Sequence, residues 1–393
     1  RGFWQKNYKG IYRANLYLEK IDGIEDASEA FRVRTKGEAR FLRAKFYFDL
    51  VRLFGNVVYI DHTLGASEYY TVEQVGPEDI YPLIISDLEA AISVLPSSVS
   101  ANEIGRATKG AAEALLARVL LFQNDETKMS QVASLCESVI QSGQYELLSD
   151  YGDIWTKDGE WSSESVFEIT YSENSASDWG SFGWGGGEGN VGVQFIGMRD
   201  YNGPTYATGW GFCPISTELE AAMTNDPRYN HTIIDASSVA GASYTPGYQN
   251  TGYFMRKYAP LANNTAPDGD PALNWGNNIR EIRYADVLLM AAEGLVRSGG
   301  SEAAALSYVN EVRNRVGLSP RSSSGNQLLD DIYEERRMEL ATEGHRFFDL
   351  IRTGKAQDVL GTQGFSISTH QYLPIPQQEI DASQGVLTQN PGY

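Results

Sequence analysis

Two stretches of this chain repeat one pattern of small residues and leucine, 73 positions apart (108 − 35 = 73). Segments 35–44 (TKGEARFLRA) and 108–117 (TKGAAEALLA) share Thr, Lys, Gly, Ala, Leu and Ala in step. The offset is roughly twice the tetratricopeptide period of about 34 residues, with a longer loop. Small residues at helical spacing, after a shared Thr-Lys-Gly start, suit helices that pack between neighbours in a stacked array. The repeat favours a scaffold that holds a ligand over one that carries out chemistry.

Helical periodicity covers both ends of the chain and fades in the middle. Apolar spacing, Gly55 as a C-cap and Ser301 as an N-cap delimit the helices. We predict an all-α dominated fold of tetratricopeptide-like helical repeats, an α-α superhelix with a large irregular, loop-rich subdomain. The expected helices are 1–22, 39–54, 77–95, 108–123, 129–142, 279–298, 301–316, 328–341 and 347–351, followed by an extended tail at 372–393.

Changes in composition and in helical periodicity divide the chain into three parts that we expect to fold as one unit. Residues 1–150 form an N-terminal helical part, 151–278 a loop-rich aromatic insertion that faces ligand, and 279–393 C-terminal helical repeats with the tail. Within the insertion, Trp and Tyr residues alternate with many glycines over residues 174–212. A long irregular segment is usually functional or disordered, and the wealth of aromatic residues argues against disorder.

Charge and motif content exclude several classes of function. The net charge is −19 and no run of Lys and Arg is present, so nucleic acid and anionic membranes are improbable direct ligands. No apolar stretch reaches the roughly 18 residues that a membrane-spanning helix needs. The four histidines, His62, His231, His345 and His370, lack metal-ligand spacing. We predict no metal, no cofactor and no catalytic residue.

Six segments of the chain, in order, resemble those of a known family, the SusD/RagB family of Bacteroidetes surface lipoproteins. One is GEARFLRAKFYFDLVRLFG at 37–55, and another is ERRMELATEGHRFFDLIR at 335–352. The remaining segments lie at 87–92, 284–293, 373–380 and 389–393. The likeness is weak over 151–278, and Val58 stands where many members have Pro.

The resemblance implies a non-catalytic protein that captures oligosaccharide or polysaccharide and delivers it to a SusC-like TonB-dependent transporter. It implies a position on the exposed face of the outer membrane. The only membrane contact would be a lipid anchor on an N-terminal region outside this chain, where we also expect the signal and lipobox. Some relatives bind peptides, so a peptide-binding lid of the same fold is an alternative. A glycoside hydrolase on a helical scaffold is a further one, because Glu335, Glu339, Glu343 and Asp349 could supply carboxylates; the family likeness favours structural ion pairs instead.

The aromatic residues of the insertion are the main candidates for ligand contact. An aromatic face stacks on the apolar C–H face of a sugar ring, and the rigid side chain loses little entropy. We therefore propose a platform built from Trp179, Trp184, Tyr201, Tyr206 and Trp210. The competing interpretation is a small satellite core beneath a long loop.

Polar candidates lie beside those rings and in a second loop. Sugar hydroxyls both donate and accept hydrogen bonds, so carboxylates, amides and arginine suit them. The candidates in the insertion are Asp178, Asn190, Arg199, Asp200 and Asn202, each of which could instead be an ordinary turn residue. In loop 62–76, which related proteins use for ligand, the candidates are Glu68, Tyr69 and Tyr70.

Overall fold

The computed structural model describes residues 1–180 and 187–393. Its helices are α1 (Gly2–Lys20), α2 (Glu29–Phe54), α3 (Pro77–Val94), α4 (Lys109–Gln123), α5 (Met129–Gln141), α6 (Val191–Ile196), α7 (Thr217–Met223), α8 (Tyr229–Thr232), α9 (Tyr284–Arg297), α10 (Glu302–Arg315), α11 (Gly325–Glu339), α12 (Arg346–Arg352), α13 (Ala356–Leu360), α14 (Ile367–His370) and α15 (Gln377–Ala382). Its strands are β1 (Val57–Val58), β2 (Gln74–Val75), β3 (Ser165–Ile169), β4 (Ile233–Asp235), β5 (Tyr253–Met255) and β6 (Ile279–Arg283). The predicted fold class, helical repeats with an irregular subdomain, is confirmed.

The chain forms two compact units. The first consists of Arg1–Gln144, Arg297–Gly300 and Arg346–Tyr393, and the second of Tyr145–Val296 and Ser301–His345. The first unit therefore holds α1 to α5 and α12 to α15, and the second holds the irregular segments with α6 to α11. The predicted boundaries at residues 150 and 278 rest on composition and stay a prediction.

Consecutive helices of the first unit pack on one another from α1 to α5. Gly37 of α2 allows close approach, because a Cβ there would lie 2.5 Å from Cγ2 of Val94 on α3. The Arg43 guanidinium of α2 donates to both carboxylate oxygens of Asp87 on α3, at 2.7 and 2.8 Å. A bidentate pair of this kind fixes both the distance and the orientation of the helices.

Local capping explains several helix boundaries, with one correction to the predicted start of α2. Thr108 caps α4 through a hydrogen bond from the backbone of Ala111, and Gly55 ends α2 with φ of 67°. The equivalent Thr35, however, lies inside α2, because Ser28 provides the N-cap seven residues earlier (35 − 28 = 7). The hydroxyl of Thr35 donates to the carbonyl of Phe31 one turn back, so a helix interior satisfies it without a cap.

Two further predictions about secondary structure were wrong. Residues 279–283 form β6 rather than helix, since Ile279, Arg280 and their neighbours pair antiparallel with β3. The tail is not fully extended, because α15 occupies 377–382 after Pro376, whose fixed φ suits a helix start. Both segments are short, so apolar spacing alone could not separate helix from strand or coil.

A buried ion network lies in the second unit. Glu339 of α11 is fully buried and accepts from Arg228, Arg283 and Arg315, at 3.0, 3.0 and 2.6 Å. Burial opposes the charge of Glu339, but the three guanidinium groups outweigh it and lower the pKa of that carboxyl well below its usual range. The expectation of structural ion pairs at Glu335 and Glu339 is confirmed, and a carboxylate held in this way is unsuited to act as a general acid.

None of the helices in residues 1–180 and 187–393 is both long and apolar enough to cross a membrane.

Candidate functional site

Two backbone segments of the second unit lie side by side and carry a group of exposed rings. Residues 209–212 run along 194–198, with hydrogen bonds from Trp210 N to Gln194 O (2.8 Å) and from Phe212 N to Phe195 O (2.9 Å). Glycine makes the approach possible, because a Cβ on Gly209 would lie 2.4 Å from the backbone of Gly197.

Three rings project from these segments. Trp210 and Phe212 stand two positions apart, separated by Gly211, whose φ of 66° lies in the left-handed region that favours glycine. Phe195, near the end of α6, has its ring centroid 5.2 Å from that of Trp210 and 5.8 Å from that of Phe212. Phe212 is 66 % exposed and Phe195 is 39 % exposed. We name these rings, together with Trp179, the aromatic platform.

Trp179 completes the aromatic platform from a different part of the chain. Its ring stacks on that of Trp210, with centroids 6.0 Å apart and an interplanar angle of 27°, and it remains 54 % exposed. The indole Nε1–H donates to Oδ2 of Asp270 at 2.7 Å. An exposed indole is thereby held at its polar edge, while one of its faces stacks on Trp210.

Asp270 is itself fixed by backbone contacts. Its Oδ1 accepts from Ala272 N at 2.9 Å, and its own N–H donates to Ser177 O at 3.0 Å. Asn274, fully buried, donates through Nδ2 to the carbonyls of both Ser177 and Asp270, at 2.9 and 2.8 Å. The segment that precedes Trp179 and the turn that carries Asp270 are therefore joined through one amide.

The two tyrosines predicted for the platform lie in the core instead. Tyr201 and Tyr206 are 8 % and 5 % exposed and pack edge to face, with centroids 5.6 Å apart. They share a hydrophobic cluster with Met198 and Phe254. Burial, opposed by Arg256, raises the pKa of the Tyr206 hydroxyl. For these two residues the satellite-core interpretation holds, because neither ring faces solvent.

The polar candidates also divide into buried and exposed residues. Asn190 is 4 % exposed, caps α6 by accepting from Gly192 N, and donates to the carbonyl of Asn277, so its role is structural. Asp178 and Asn202 are exposed. Arg199 and Asp200 are exposed and form an ion pair at 3.5 Å. Contact of these four with a ligand stays a prediction, and Trp184 lies outside the described residues.

Loop 62–76 belongs to the first unit and is held by hydrogen bonds within the loop and by bonds to Asn15 and Glu19 of α1. Glu68 accepts from Gly65 N at 2.8 Å and contacts Nε2 of His62 at 3.0 Å. The Gly65 N–H and then the His62 ring lower the pKa of Glu68. Tyr69 and Tyr70 are 56 % and 52 % exposed, and Tyr69 borders a groove of about 490 Å³. Their contact with a ligand also stays a prediction.

Sequence reasoning missed three residues of the site: Phe195, Phe212 and Asp270. Phe212 lies only two positions from Trp210, so its proximity in the sequence was a usable signal. Phe195 and Asp270 gave no such signal, since each reaches Trp210 or Trp179 only through the fold. Among the described residues, no group of three or more His, Cys, Asp or Glu is placed to hold a metal ion.

Family models and relatives agree with this architecture. A model described as the SusD family matches residues 153–393, and one described as "Starch-binding associating with outer membrane" matches residues 1–121. The chain belongs to the SusD family.

Solved and curated relatives cover nearly the whole chain. A structure named "Laminarin binding SusD-like protein" is 40 % identical, with a TM-score of 0.92, and the match covers 100 % of this chain and 86 % of that one. Surface glycan-binding protein A from Bacteroides thetaiotaomicron, solved in complex with laminarihexaose, is 36 % identical, with a TM-score of 0.89 and coverages of 99 % and 85 %. Starch-binding protein SusD of the same organism is 25 % identical, with coverages of 98 % and 76 %.

Proposed function

We propose that this chain is a non-catalytic glycan-binding protein whose aromatic platform takes a β-1,3-linked glucan, the class that includes laminarihexaose. The observation that carries the proposal is a group of four contacting rings, Trp179, Phe195, Trp210 and Phe212, of which all but the partly buried Trp210 are exposed. Indole and phenyl faces match the C–H faces of sugar rings and lose little entropy when covered. Two structures that are 40 % and 36 % identical carry laminarin or laminarihexaose in their names, which supports the same ligand class here.

The angles between the rings favour a curved ligand. Trp179 and Trp210 differ by 27°, Phe195 and Trp210 by 36°, and Trp210 and Phe212 by 44°. The rings therefore fan out rather than lie in one plane. A β-1,3-linked glucan coils, so its successive sugar faces also turn relative to one another. A flat β-1,4-linked chain meets fewer of these rings at once, and we expect it to bind more weakly.

We propose further that the protein is lipid-anchored at the exposed face of the outer membrane and passes its glycan to a SusC-like TonB-dependent transporter. Family membership and the description of the model over residues 1–121 support this placement. Metabolic labelling with an alkyne fatty acid should tag the native protein, and crosslinking in intact cells should link it to a large outer-membrane barrel. Absence of both products would contradict the placement while leaving glycan binding open.

The same proposal expects no hydrolysis by Glu335, Glu339 or Glu343. A glycosidase needs a protonated carboxylic acid beside the scissile bond, with a raised pKa. Burial raises the pKa of Glu343 in the second unit, but Arg283 and Lys257 outweigh it and keep that pKa below its usual value. We expect no new reducing ends when laminarin is incubated with the protein. Their appearance would favour the hydrolase alternative.

Isothermal calorimetry with laminarihexaose tests the assignment through Trp179→Ala and Trp210→Ala. Trp179 is 54 % exposed, and a sugar on one indole face covers roughly 70 Å². At about 25 cal/mol per Å², this contact is worth ~1.5–2 kcal/mol, or a ~10–30-fold change in Kd. Phe31→Ala is the matched control, because that ring is 48 % exposed on α2 of the first unit.

If the parent binds laminarihexaose and both tryptophan variants bind it equally well, the aromatic platform is not the binding site. Binding of an extended peptide instead of any glucan would favour the peptide-binding alternative, which main-chain hydrogen bonds would characterise.

A further inference from the structure

A second depression in the second unit lies where β4 and β5 end. Asp235 pairs with Tyr253 as the last residues of the ladder, and Ala236 N then donates to Gly252 O at 2.9 Å. The chain between them leaves the strand pair and returns, which opens a hollow of about 400 Å³. Ligand sites span about 300–1,000 Å³, so this volume suits one or two sugar rings. The side chains that line it include Asp235, Ser237, Ser243, Tyr244, Thr251 and Tyr253.

The carboxylate of Asp235 is fixed by one of its oxygens. Oδ1 accepts from both the N–H and the hydroxyl of Ser237, at 2.9 and 2.7 Å. Oδ2 makes no hydrogen bond within the part of the chain that the structure describes. The turn therefore orients the carboxylate and leaves one ionised acceptor beside the hollow. Sugar hydroxyls are suitable donors to such a group, and hydrogen bonds to a charged acceptor are the stronger ones.

Two tyrosines supply ring surface and hydroxyl groups. Tyr244 packs edge to face on Phe254, with centroids 5.3 Å apart at 83°, and its hydroxyl donates to Oδ1 of Asn250 at 3.2 Å. Its ring is therefore already ordered before any ligand arrives. The carboxylate of Glu220, then burial, then Asp235 raise the pKa of Tyr253, so its hydroxyl stays protonated and able to donate.

We propose that this hollow is a second subsite for a neutral sugar, which engages a longer glucan chain than the aromatic platform alone can hold. The inference rests on the proposed function. Asp235 and nearby Glu220 repel acidic sugars, which makes the site selective for uncharged ones. A single carboxylate falls far short of the six to eight oxygen ligands that Ca²⁺ takes, so a cation is a poor occupant.

Backbone pairing connects this hollow to the segments that carry the aromatic platform. Ser243 N donates to Asn202 O at 3.0 Å, and Asn202 N donates to Ser243 O at 2.8 Å. Thr245 N donates to Arg199 O at 2.8 Å, and Arg199 is bridged to Gly209, next to Trp210. One wall of the hollow and the base of the platform are thus parts of one hydrogen-bonded sheet-like patch. Two subsites joined in this way would raise the affinity for a chain long enough to reach both.

Binding as a function of chain length tests the inference, with laminarin polymer and laminaritriose as probes. Asp235→Asn keeps the amide oxygen for the Ser237 turn and removes the ionised acceptor. Ser243→Trp places an indole in the hollow. The side chain of Ser243 makes no hydrogen bond within the described residues, so the substitution removes none. Ala240→Trp adds the same indole at an exposed site of the same loop and is the control.

We expect both variants to lose about ten-fold in affinity for the polymer, as for one charge-assisted hydrogen bond, and to bind the trisaccharide within about two-fold of the parent. Ala240→Trp should match the parent with both probes. Unchanged polymer affinity in Asp235→Asn and Ser243→Trp overturns the second subsite, while the platform variants still report on the proposed function. An equal loss with the trisaccharide also overturns it, because the hollow would then belong to the primary site.

Discussion

The hydrogen bond between Trp179 and Asp270 leads to a specific prediction about preorganisation. Asp270→Asn removes the ionised acceptor, while the amide oxygen can still accept from Ala272 N and hold the turn. The indole, 54 % exposed and also stacked on Trp210, then loses the contact at its polar edge and gains rotational freedom in the unbound protein. Glycan binding must order that ring again, which costs about 0.5–1.5 kcal/mol for one side chain.

That cost corresponds to a rise in Kd for laminarihexaose of about 2- to 12-fold. Because the contacts in the complex are unchanged, calorimetry should assign the loss to a less favourable entropy of binding. The free energy of unfolding should fall by no more than about 1 kcal/mol, since the hydrogen bond is exposed. Stopped-flow tryptophan fluorescence should show dissociation changing more than association.

Asp268→Asn is the matched control, because Asp268 is exposed and lies two positions away, so the same charge is removed without the indole contact. It should bind as the parent does. The reasoning is refuted if Asp270→Asn retains full affinity. It is also refuted if both variants weaken equally, because the effect would then be one of charge rather than of a held ring.

Three further predictions concern other features of the two units. A bound glucan should slow the reaction of Cys213, an exposed thiol next to Phe212, with maleimide, as measured by mass spectrometry. Arg283→Met should lower the free energy of unfolding in urea by about 3–5 kcal/mol, because Glu339 and Glu343 lose a buried counter-ion. Glu68→Gln should lower the pKa of His62 in a ring-proton NMR titration. Hydrogen bonds from the His62 ring to Asp61, and then to Glu68, raise the pKa of His62 in the parent. The stability that protonated His62 gives to the loop is therefore complete below the ordinary histidine pKa. It is lost as the pH rises through the raised pKa of His62.

Each of these predictions has a control. Cys136 is buried and should react slowly with or without glucan, and equal protection of both thiols would point to global stabilisation instead. Arg199→Met, at a side chain that is 54 % exposed, should change the unfolding free energy by no more than about 0.5 kcal/mol. An unchanged pKa of His62 in Glu68→Gln would show that Asp61 alone sustains the shift.

Features that depend on neighbours in sequence could be predicted from the chain. The cap at Ser301 accepts a hydrogen bond three residues ahead, and the cap at Thr108 does the same, so the information lies within one turn. The indoles of Trp179 and Trp210 are partly exposed and contact each other, and their contact with a ligand stays a prediction. Glycine-rich backbone with few bulky neighbours is where large aromatic rings have the room to stay uncovered.

Features that depend on distant partners could not be predicted. Tyr206 looks like Trp210 in the sequence, yet Tyr206 pairs through its backbone with Leu261 and packs in a hydrophobic cluster, while Trp210 stays partly exposed. Asn190 resembles a loop amide, but its side chain donates to Asn277, 87 positions away. Irregular segments have no period that separates an inner from an outer face, so only the completed fold decides which rings are covered.

The hydrogen bonds between 194–198 and 209–212 join main-chain groups. Glycine is favoured where the two segments touch, at Gly197 and Gly209, and at Gly211, whose φ is 66°. The side chains at 195, 210 and 212 therefore take no part in these backbone hydrogen bonds. Selection can exchange them for other rings or polar groups and redirect the protein toward a different polysaccharide, while the supporting backbone keeps its form. Ligand specificity can then change by substitution at these three positions without a change in the backbone that supports them.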